Sequence, residues 1–341
     1  MKHFFLECGW KWTKGISSDC EDNPSAAGSL DMSTIEEILV IFFCGIGDMV
    51  VFIPALEALS TFFCRSHISV MTSQPADQLL DHHPCIKSTF SSRAIHQKGF
   101  FQRFDLIINL SGNKDEMNRI LRTTKVKHLI TKDRLFTRKY PLHASEYHLE
   151  LVKEMTAPFC RPLVHVTDEE HRAARRYLIK NKLNTKKDLI IAVHAGSSNP
   201  NKFWDWRRFR KVCNLLMRDF DAKILLFSGP SEQEVSERIA KNMTNQLMVV
   251  EQPLRFVAAL LEQCRLLITN DSGIMHLAAA VRTPVVSIFN SSLSRPEIWG
   301  PLTDNHVVIC KETHEAIRVE DVMRGVNLLL SRTQTPVVSS S

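Results

Sequence analysis

Along the chain, short runs of apolar, β-prone residues alternate with longer segments of mixed polarity, a rhythm that predicts parallel α/β sheets. In the first half the runs Glu37–Phe43, His67–Met71, Phe104–Leu110 and Val126–Ile130 read as strands. A second series comprises Leu189–Val193, Lys223–Phe227, Leu247–Val250, Arg265–Ile268 and Pro284–Ile288. Between them, a stretch beginning near Pro158 carries Pro162 and a charged helix over Asp168–Lys180, so two separate sheets are the simplest account. The expected organisation is an N-terminal extension over 1–33, a first domain over 34–160, a connection over 161–187, a second domain over 188–332 closed by a helix near 318–331, and a tail over 333–341.

Composition narrows the class. With 341 residues, 44% of them apolar and 23% charged, the chain has enough material for two ordinary cores. Its nine cysteines (8, 20, 44, 64, 85, 160, 213, 264 and 310) are odd in number, scattered and without a Cys-x-x-Cys pair, which reads as reduced thiols in the cytoplasm. No run approaches the roughly 20 apolar residues a membrane span needs, and the apolar start of the chain is broken by Glu7. A net charge of +6 does not point to nucleic acid but suits an acidic partner. A surplus of the same size lies in one run, Lys114 to Lys139, which holds nine basic residues, among them Arg119, Arg122 and Lys125, against three acidic ones. Such a run is either a solvated face or an anion-holding surface.

Four strand-end segments carry candidate chemistry. In Leu267-Ile-Thr-Asn-Asp-Ser-Gly-Ile-Met-His-Leu-Ala-Ala-Ala280, a strand passes into a helix through Asp271, Ser272 and Gly273. Asp271 or Ser272 can cap the helix, Gly273 allows close backbone approach, and free N–H groups with the positive dipole end suit an anion; His276 faces the same mouth. Capping alone is the plainer reading, but the strand at Thr283–Phe289 completes a βαβ unit, whose strand ends are where ligands bind. Cys44-Gly-Ile-Gly-Asp48 looks at first like a dinucleotide fingerprint, yet Val50 stands at the third glycine position and Arg65–Val70 lacks the ribose-binding acid. Asp48 on a glycine turn suits a general base; the alternative is a helix cap. After Val193, His194-Ala-Gly-Ser-Ser198 offers Ser197 and Ser198 to phosphate oxygens, with Lys202 as a positive charge and Trp204 as an anchor. In Lys223–Glu234, Ser231 and Glu234 have capping-box spacing, which leaves Glu232 for ribose hydroxyls.

Taken in order, Gly45-Ile-Gly-Asp48, His194-Ala-Gly-Ser-Ser198 with Lys202 and Trp204, Gly229-Pro-Ser-Glu232 and Asn270-Asp-Ser-Gly-Ile-Met-His276-Leu-Ala-Ala-Ala280 resemble glycosyltransferase family 9, the lipopolysaccharide heptosyltransferases, over residues 36 to 330. The resemblance implies a GT-B architecture: two Rossmann-like parallel-sheet domains facing across a cleft, the second holding the donor and the first the acceptor. It implies Asp48 as base, and Ser197, Ser198, Lys202, Asp271, Ser272, Gly273 and His276 around the donor's diphosphate and ribose. Glu232 joins the donor side; Gly47, Arg119, Arg122 and Lys125 are assigned to the acceptor side. The expected reaction is inverting transfer of heptose from ADP-heptose to a hydroxyl of the inner core, lipid A–Kdo or its heptosylated form. The alternatives are another nucleotide sugar, or a catalytically silent sugar-nucleotide binder. No metal, cofactor or nucleic acid is expected. The partners are the donor and an anionic glycolipid, met by a cytoplasmic monomer in peripheral contact with the inner leaflet. Asn290-Ser-Ser292 departs from the Gly-Pro-Thr-like turn common in the family, and residues 1–33 have no counterpart in it.

Overall fold

The structure, a computed structural model, describes residues 34–110, 120, 121, 124, 126–131, 142–149, 160–244 and 246–332. The N-terminal extension, the tail, and Arg119, Arg122 and Lys125 lie outside them. The first sheet contains β1 (Glu37–Ile41), β2 (His67–Met71), β3 (Ile86–Phe90), β4 (Leu106–Asn109) and β5 (His128–Thr131), in the spatial order β3-β2-β1-β4-β5. The second contains β6 (Ile190–His194), β7 (Lys223–Phe227), β8 (Leu247–Val250), β9 (Leu266–Asn270), β10 (Val285–Asn290) and β11 (His306–Lys311), ordered β11-β10-β9-β6-β7-β8. All pairings are parallel. Strand order reverses beside β1 in one sheet and beside β6 in the other, and such switch points open crevices at the carboxyl ends of the strands.

Two of these strands were not among the expected ones, and both are sheet edges. β3 reads Ile-Lys-Ser-Thr-Phe and is nowhere fully buried, so it lacks the apolar run of an interior strand. β11 follows β10 with only a four-residue helix between them, which breaks the strand and long-helix rhythm. The central strands β1, β4, β6 and β9 are buried on both faces, which is why they are apolar without alternation.

The helices are α1 (Ile46–Phe62), α2 (Ala144–Leu149), α3 (Asp168–Lys180), α4 (Trp206–Phe220), α5 (Gln233–Ala240), α6 (Leu254–Leu261), α7 (Gly273–Ala280), α8 (Pro296–Trp299) and α9 (Val319–Arg332). Helix α1 is apolar all round and buried from Met49 through Ala55, because it lies under its own sheet and also packs on α2 and on α7 of the second unit. Small residues at Ala278, Ala279 and Ala280 keep α7 slim, and one apolar cluster runs from Ile38 and Leu56 through Leu277 to Phe289. Apolar burial therefore continues across the boundary between the two sheets. Polar straps reinforce it. Arg255 on α6 grips Glu170 of α3 at 2.6 and 2.7 Å and donates to the carbonyls of Asp81 (3.1 Å) and His165 (2.6 Å). Burial works the other way, but the Arg255 guanidinium and the Thr167 amide hold the Glu170 carboxyl down at about 2. Thr167 and Glu170 also form a capping box that starts α3 at the residue the sequence indicates. Among the described residues, no helix is long and apolar enough to cross a membrane, and seven cysteines are free thiols.

Candidate active site

A cavity of about 590 Å³ opens at the carboxyl ends of both sheets, and it gathers the ten described residues singled out by sequence: Gly47, Asp48, Ser197, Ser198, Lys202, Glu232, Asp271, Ser272, Gly273 and His276. The first unit supplies the mouth of α1. Gly45 is its N-cap and makes no side-chain cap bond, so the first N–H groups lack a capping partner. Asp48 sits in the first turn as a half-buried carboxylate. The capping alternative for Asp48 is therefore not realised. Burial and the Asp48 charge push the neighbouring Cys44 thiol up to about 12, which rules it out as a nucleophile at neutral pH.

The second unit supplies the mouth of α7. Ser272 is the N-cap, but its hydroxyl bonds Thr269 Oγ1 (3.1 Å) and His194 Nδ1 (3.3 Å) and does not cap the helix. Asp271 does not cap either, because its carboxylate accepts from Lys202 Nζ at 2.6 Å. Both capping readings of this turn are thus corrected, and the N-terminal N–H groups of α7 stay available to an anion. Lys202 is also not the free point charge the sequence suggests; it neutralises a buried carboxylate while two of its N–H donors remain. Ser197 is buried and donates its hydroxyl to the Asp271 carbonyl (3.1 Å), so it shapes the loop, whereas Ser198 is exposed at the rim. Asn270 staples that loop: its Nδ2 donates to the Ala195 carbonyl (2.7 Å) and its Oδ1 accepts from the Trp204 amide (3.1 Å). Trp204 is the core anchor, donating from its indole to the Ile317 carbonyl at 3.1 Å.

The two mouths touch. A Cβ added to Gly273 would lie 2.8 Å from Ile46 Cβ and 3.1 Å from the Gly47 amide, and one added to Gly47 would lie 2.9 Å from His276 Cδ2. Both glycines are thus required by close approach across the cleft. The His276 ring is 4% exposed, and burial pushes it down to about 4 against the pull of Asp271, with His143 and Lys202 adding to the fall, so it is neutral at pH 7.

Glu232 corrects another reading. Ser231 and Glu234 form no capping box; Glu232 itself is the N-cap of α5, and Glu234 pairs with Arg238 on the surface. The Glu232 carboxylate accepts from the Gly229 amide (2.8 Å) and meets His194 Nε2 at 2.9 Å, and burial is outweighed by these partners, which hold it below the usual carboxylate range. It is fixed in place with acceptor capacity left, since an ionised carboxylate has about four lone-pair sites. His194 was missed as a site residue, although it ends β6 inside a quoted motif, and a polar side chain at a buried strand end was the available signal. Phe227, Pro253, Leu254 and Val257, with Gln252 and Trp299, form the remaining wall. Nothing in the sequence marks these apolar residues off from core.

Two Rossmann-like parallel sheets facing a shared cleft, with an uncapped helix end on each side, form the GT-B architecture. The chain belongs to glycosyltransferase family 9 (heptosyltransferase), whose family model matches residues 120–325, more than half of the chain. A putative glycosyltransferase of Haemophilus influenzae is 23% identical over 337 residues, covering 87% of this chain and 97% of its own length. The chain spans only part of other relatives: 63% of the lipooligosaccharide heptosyltransferase 2 of Haemophilus influenzae (22% identical, 67% of this chain) and 51% of the lipopolysaccharide heptosyltransferase 2 of Salmonella typhimurium (24% identical, 52% of this chain). Among solved structures, a family 9 glycosyltransferase of Veillonella parvula superposes with a TM-score of 0.76 (21% identity, 89% of this chain, 99% of that one). The Escherichia coli ADP-heptose lipopolysaccharide heptosyltransferase II gives 0.75 (20%, 88% and 100%). At these identities the superpositions establish the fold.

Proposed function

We propose that the protein transfers a heptose from ADP-heptose, with inversion, to a hydroxyl of the lipopolysaccharide inner core, either lipid A–Kdo or its heptosylated form. One observation carries the reading: Gly47 and Gly273 bring the uncapped ends of α1 and α7 together, so that Asp48 faces an anion trap across a single cavity. The acceptor hydroxyl gives its proton to Asp48 while its oxygen bonds the anomeric carbon. The bond from that carbon to the β-phosphate oxygen breaks, and ADP leaves with the electron pair. Negative charge grows on the departing diphosphate, where the α7 N–H groups and the free donors of Lys202 oppose it. Ribose hydroxyls meet Glu232, which His194 holds at 2.9 Å, and the base lies along the apolar wall of Pro253, Leu254 and Val257.

The acceptor side extends to the basic run through Arg119, Arg122 and Lys125, whose charge suits a phosphorylated, carboxylate-bearing glycolipid. That run also draws a monomeric, cytoplasmic enzyme to the anionic inner leaflet. The decisive experiment incubates the purified protein with ADP-heptose and lipid A–Kdo or heptosylated acceptor, and reads acceptor mass and ADP release. A mass gain of one heptose with stoichiometric ADP supports the reading. Turnover only with a different nucleotide sugar would replace the donor, and absence of turnover with tight ADP binding would make the protein a binder.

A further inference from the structure

Away from the cleft, a second cluster of chemistry-bearing side chains lies where the chain enters the second unit. One ligand atom from each of Glu57, His83 and His165 lies within 4.8 Å of the other two. Glu57 is on α1, nine residues beyond Asp48 and thus about 13 Å away at ~1.5 Å per residue, and none of the three lines the cavity. His83 follows the short helical turn after β2, while His165 belongs to the segment leading into α3. Cys160, at the start of that segment, places its Sγ 2.7 Å from Glu57 Oε2.

The His83 side chain is 1% exposed, yet its Nε2 has no hydrogen-bond partner; its nearest carboxylate oxygen, Glu57 Oε1, is 3.6 Å away. A buried ring nitrogen left at that distance is costly, and it points at the other members of the cluster. We infer that Glu57, His83 and His165, with the Cys160 thiolate as fourth ligand, bind a divalent transition-metal ion of the zinc type. Two imidazoles, a carboxylate and a thiolate are a tetrahedral donor set suited to zinc and too soft for magnesium or calcium. Around an ion with bonds of about 2.0–2.3 Å, the ligand atoms stand roughly 3.3–3.7 Å apart. The three ligand atoms, within 4.8 Å of one another, would draw in by about 1 Å on binding, and Cys160 would swing its Sγ toward the ion from its present contact with Glu57.

Loading requires two proton movements. Burial and Glu57 push the free Cys160 thiol up to about 12, so it releases its proton to solvent only as the ion binds, and Glu57 gives up the S–H···O hydrogen bond it accepts from Cys160 in exchange for the metal. His83 Nδ1 accepts from the Cys85 amide at 3.3 Å, which places the ring proton on Nε2; capture through Nε2 moves that proton to Nδ1 and gives up this long contact. Arg255, which lies near His165, is already paired with Glu170. The ion would clip the 160–165 segment to the back of α1, bracing the link between the two sheets without entering the reaction.

The test uses the full chain stripped by a chelator, with zinc alone titrated against a chromophoric competitor, and cobalt as a spectroscopic substitute. The expected result is one equivalent bound at micromolar or lower Kd, with tetrahedral cobalt absorption and a sulfur-to-cobalt charge-transfer band. His83→Ala and His165→Ala each weaken binding by at least about 100-fold, the upper end of what loss of a mere supporting partner causes. Should the buried His83→Ala fail to fold, His165→Ala and Glu57→Gln carry the same comparison. No stoichiometric binding by the parent chain, or affinity unchanged in the histidine variants, overturns the site; a charge-transfer band that survives in Cys160→Ser overturns the thiolate as fourth ligand.

Discussion

Replacing Gly273 by alanine tests whether the approach of the two helix ends is what makes the cleft competent. The added methyl meets Ile46 Cβ at 2.8 Å and the Gly47 amide at 3.1 Å, whereas carbon atoms rest at about 3.5–4.0 Å. Neither neighbour is the free end of a long side chain, so relief requires α1 and α7 to part by roughly 1 Å. Overpacking of this kind costs about 1–3 kcal/mol. Charged against the closed arrangement alone, that lowers its population about 5- to 150-fold, and a misplacement near 1 Å is itself enough for about 10² in rate. We expect kcat/KM to fall by 10- to 100-fold (roughly 1.4–2.8 kcal/mol), with only a minor part of that loss in the Kd for ADP, because the added methyl points at Ile46 and Gly47 while the N–H groups of α7 stay in place. Steady-state transfer assays with calorimetry on ADP measure both. Gly325→Ala on α9 is the control, since its methyl would press Val307 and Val286 at 3.2 and 3.3 Å, far from the cleft, and should lower only Tm. The Gly47→Ala/Gly273→Ala double variant should cost less than the sum of the singles, because the first already opens the contact. Turnover within twofold of the parent in Gly273→Ala would refute the reasoning.

Asp48→Ala should lower transfer by roughly 10²–10⁴-fold with ADP affinity little changed, and near-normal turnover would remove it as base. Lys202→Ala strands the Asp271 carboxylate beside the diphosphate, so ADP affinity should fall by about tenfold or more and recover in part in Lys202→Ala/Asp271→Asn, a rescue that calorimetry can read. The pKa of His276 lies below its unfolded value of about 6.5, at about 4, so the unfolded chain binds more protons between the two. Stability is therefore fully present above pH 6.5 and lost as pH falls toward 4, by at most roughly 3 kcal/mol; thermal melts of His276→Gln should show a flatter decline across this window, and parallel curves would contradict it. Neutralising Arg119, Arg122 and Lys125 together should raise the acceptor's KM and reduce its salt dependence while leaving the donor's KM alone, and identical acceptor kinetics at low and high salt would assign the run to solubility.

Most of the fold was legible because the central strands are apolar without interruption, and the connection between the sheets carries a helix with its own start signal, Thr167 and Glu170 at the head of α3. Two of the four edges were not, since a strand such as Ile86–Phe90, nowhere fully buried, carries little apolar signal. The cavity's residues could be picked by type and position, but their partners could not. Ser231 and Glu234 have the spacing of a capping box, yet His194 draws Glu232 into the cap position and the box does not form. Asp271 and Ser272 have capping side chains, yet Lys202, 69 residues away, and His194, 78 residues away, claim them first. Competition between local and distant partners is settled only by the fold, and a linear pattern holds no record of it.

The abutting starts of α1 and α7 share a dipole sign but not a charge. Asp48 stands in the first turn of α1 and cancels the positive end there, whereas the acid beside α7, Asp271, is itself neutralised by Lys202. The cavity is therefore polarised from side to side: an anion entering it is drawn toward α7 and turned away from α1, so the two rims sort a charged group from a neutral hydroxyl before any side chain has to move.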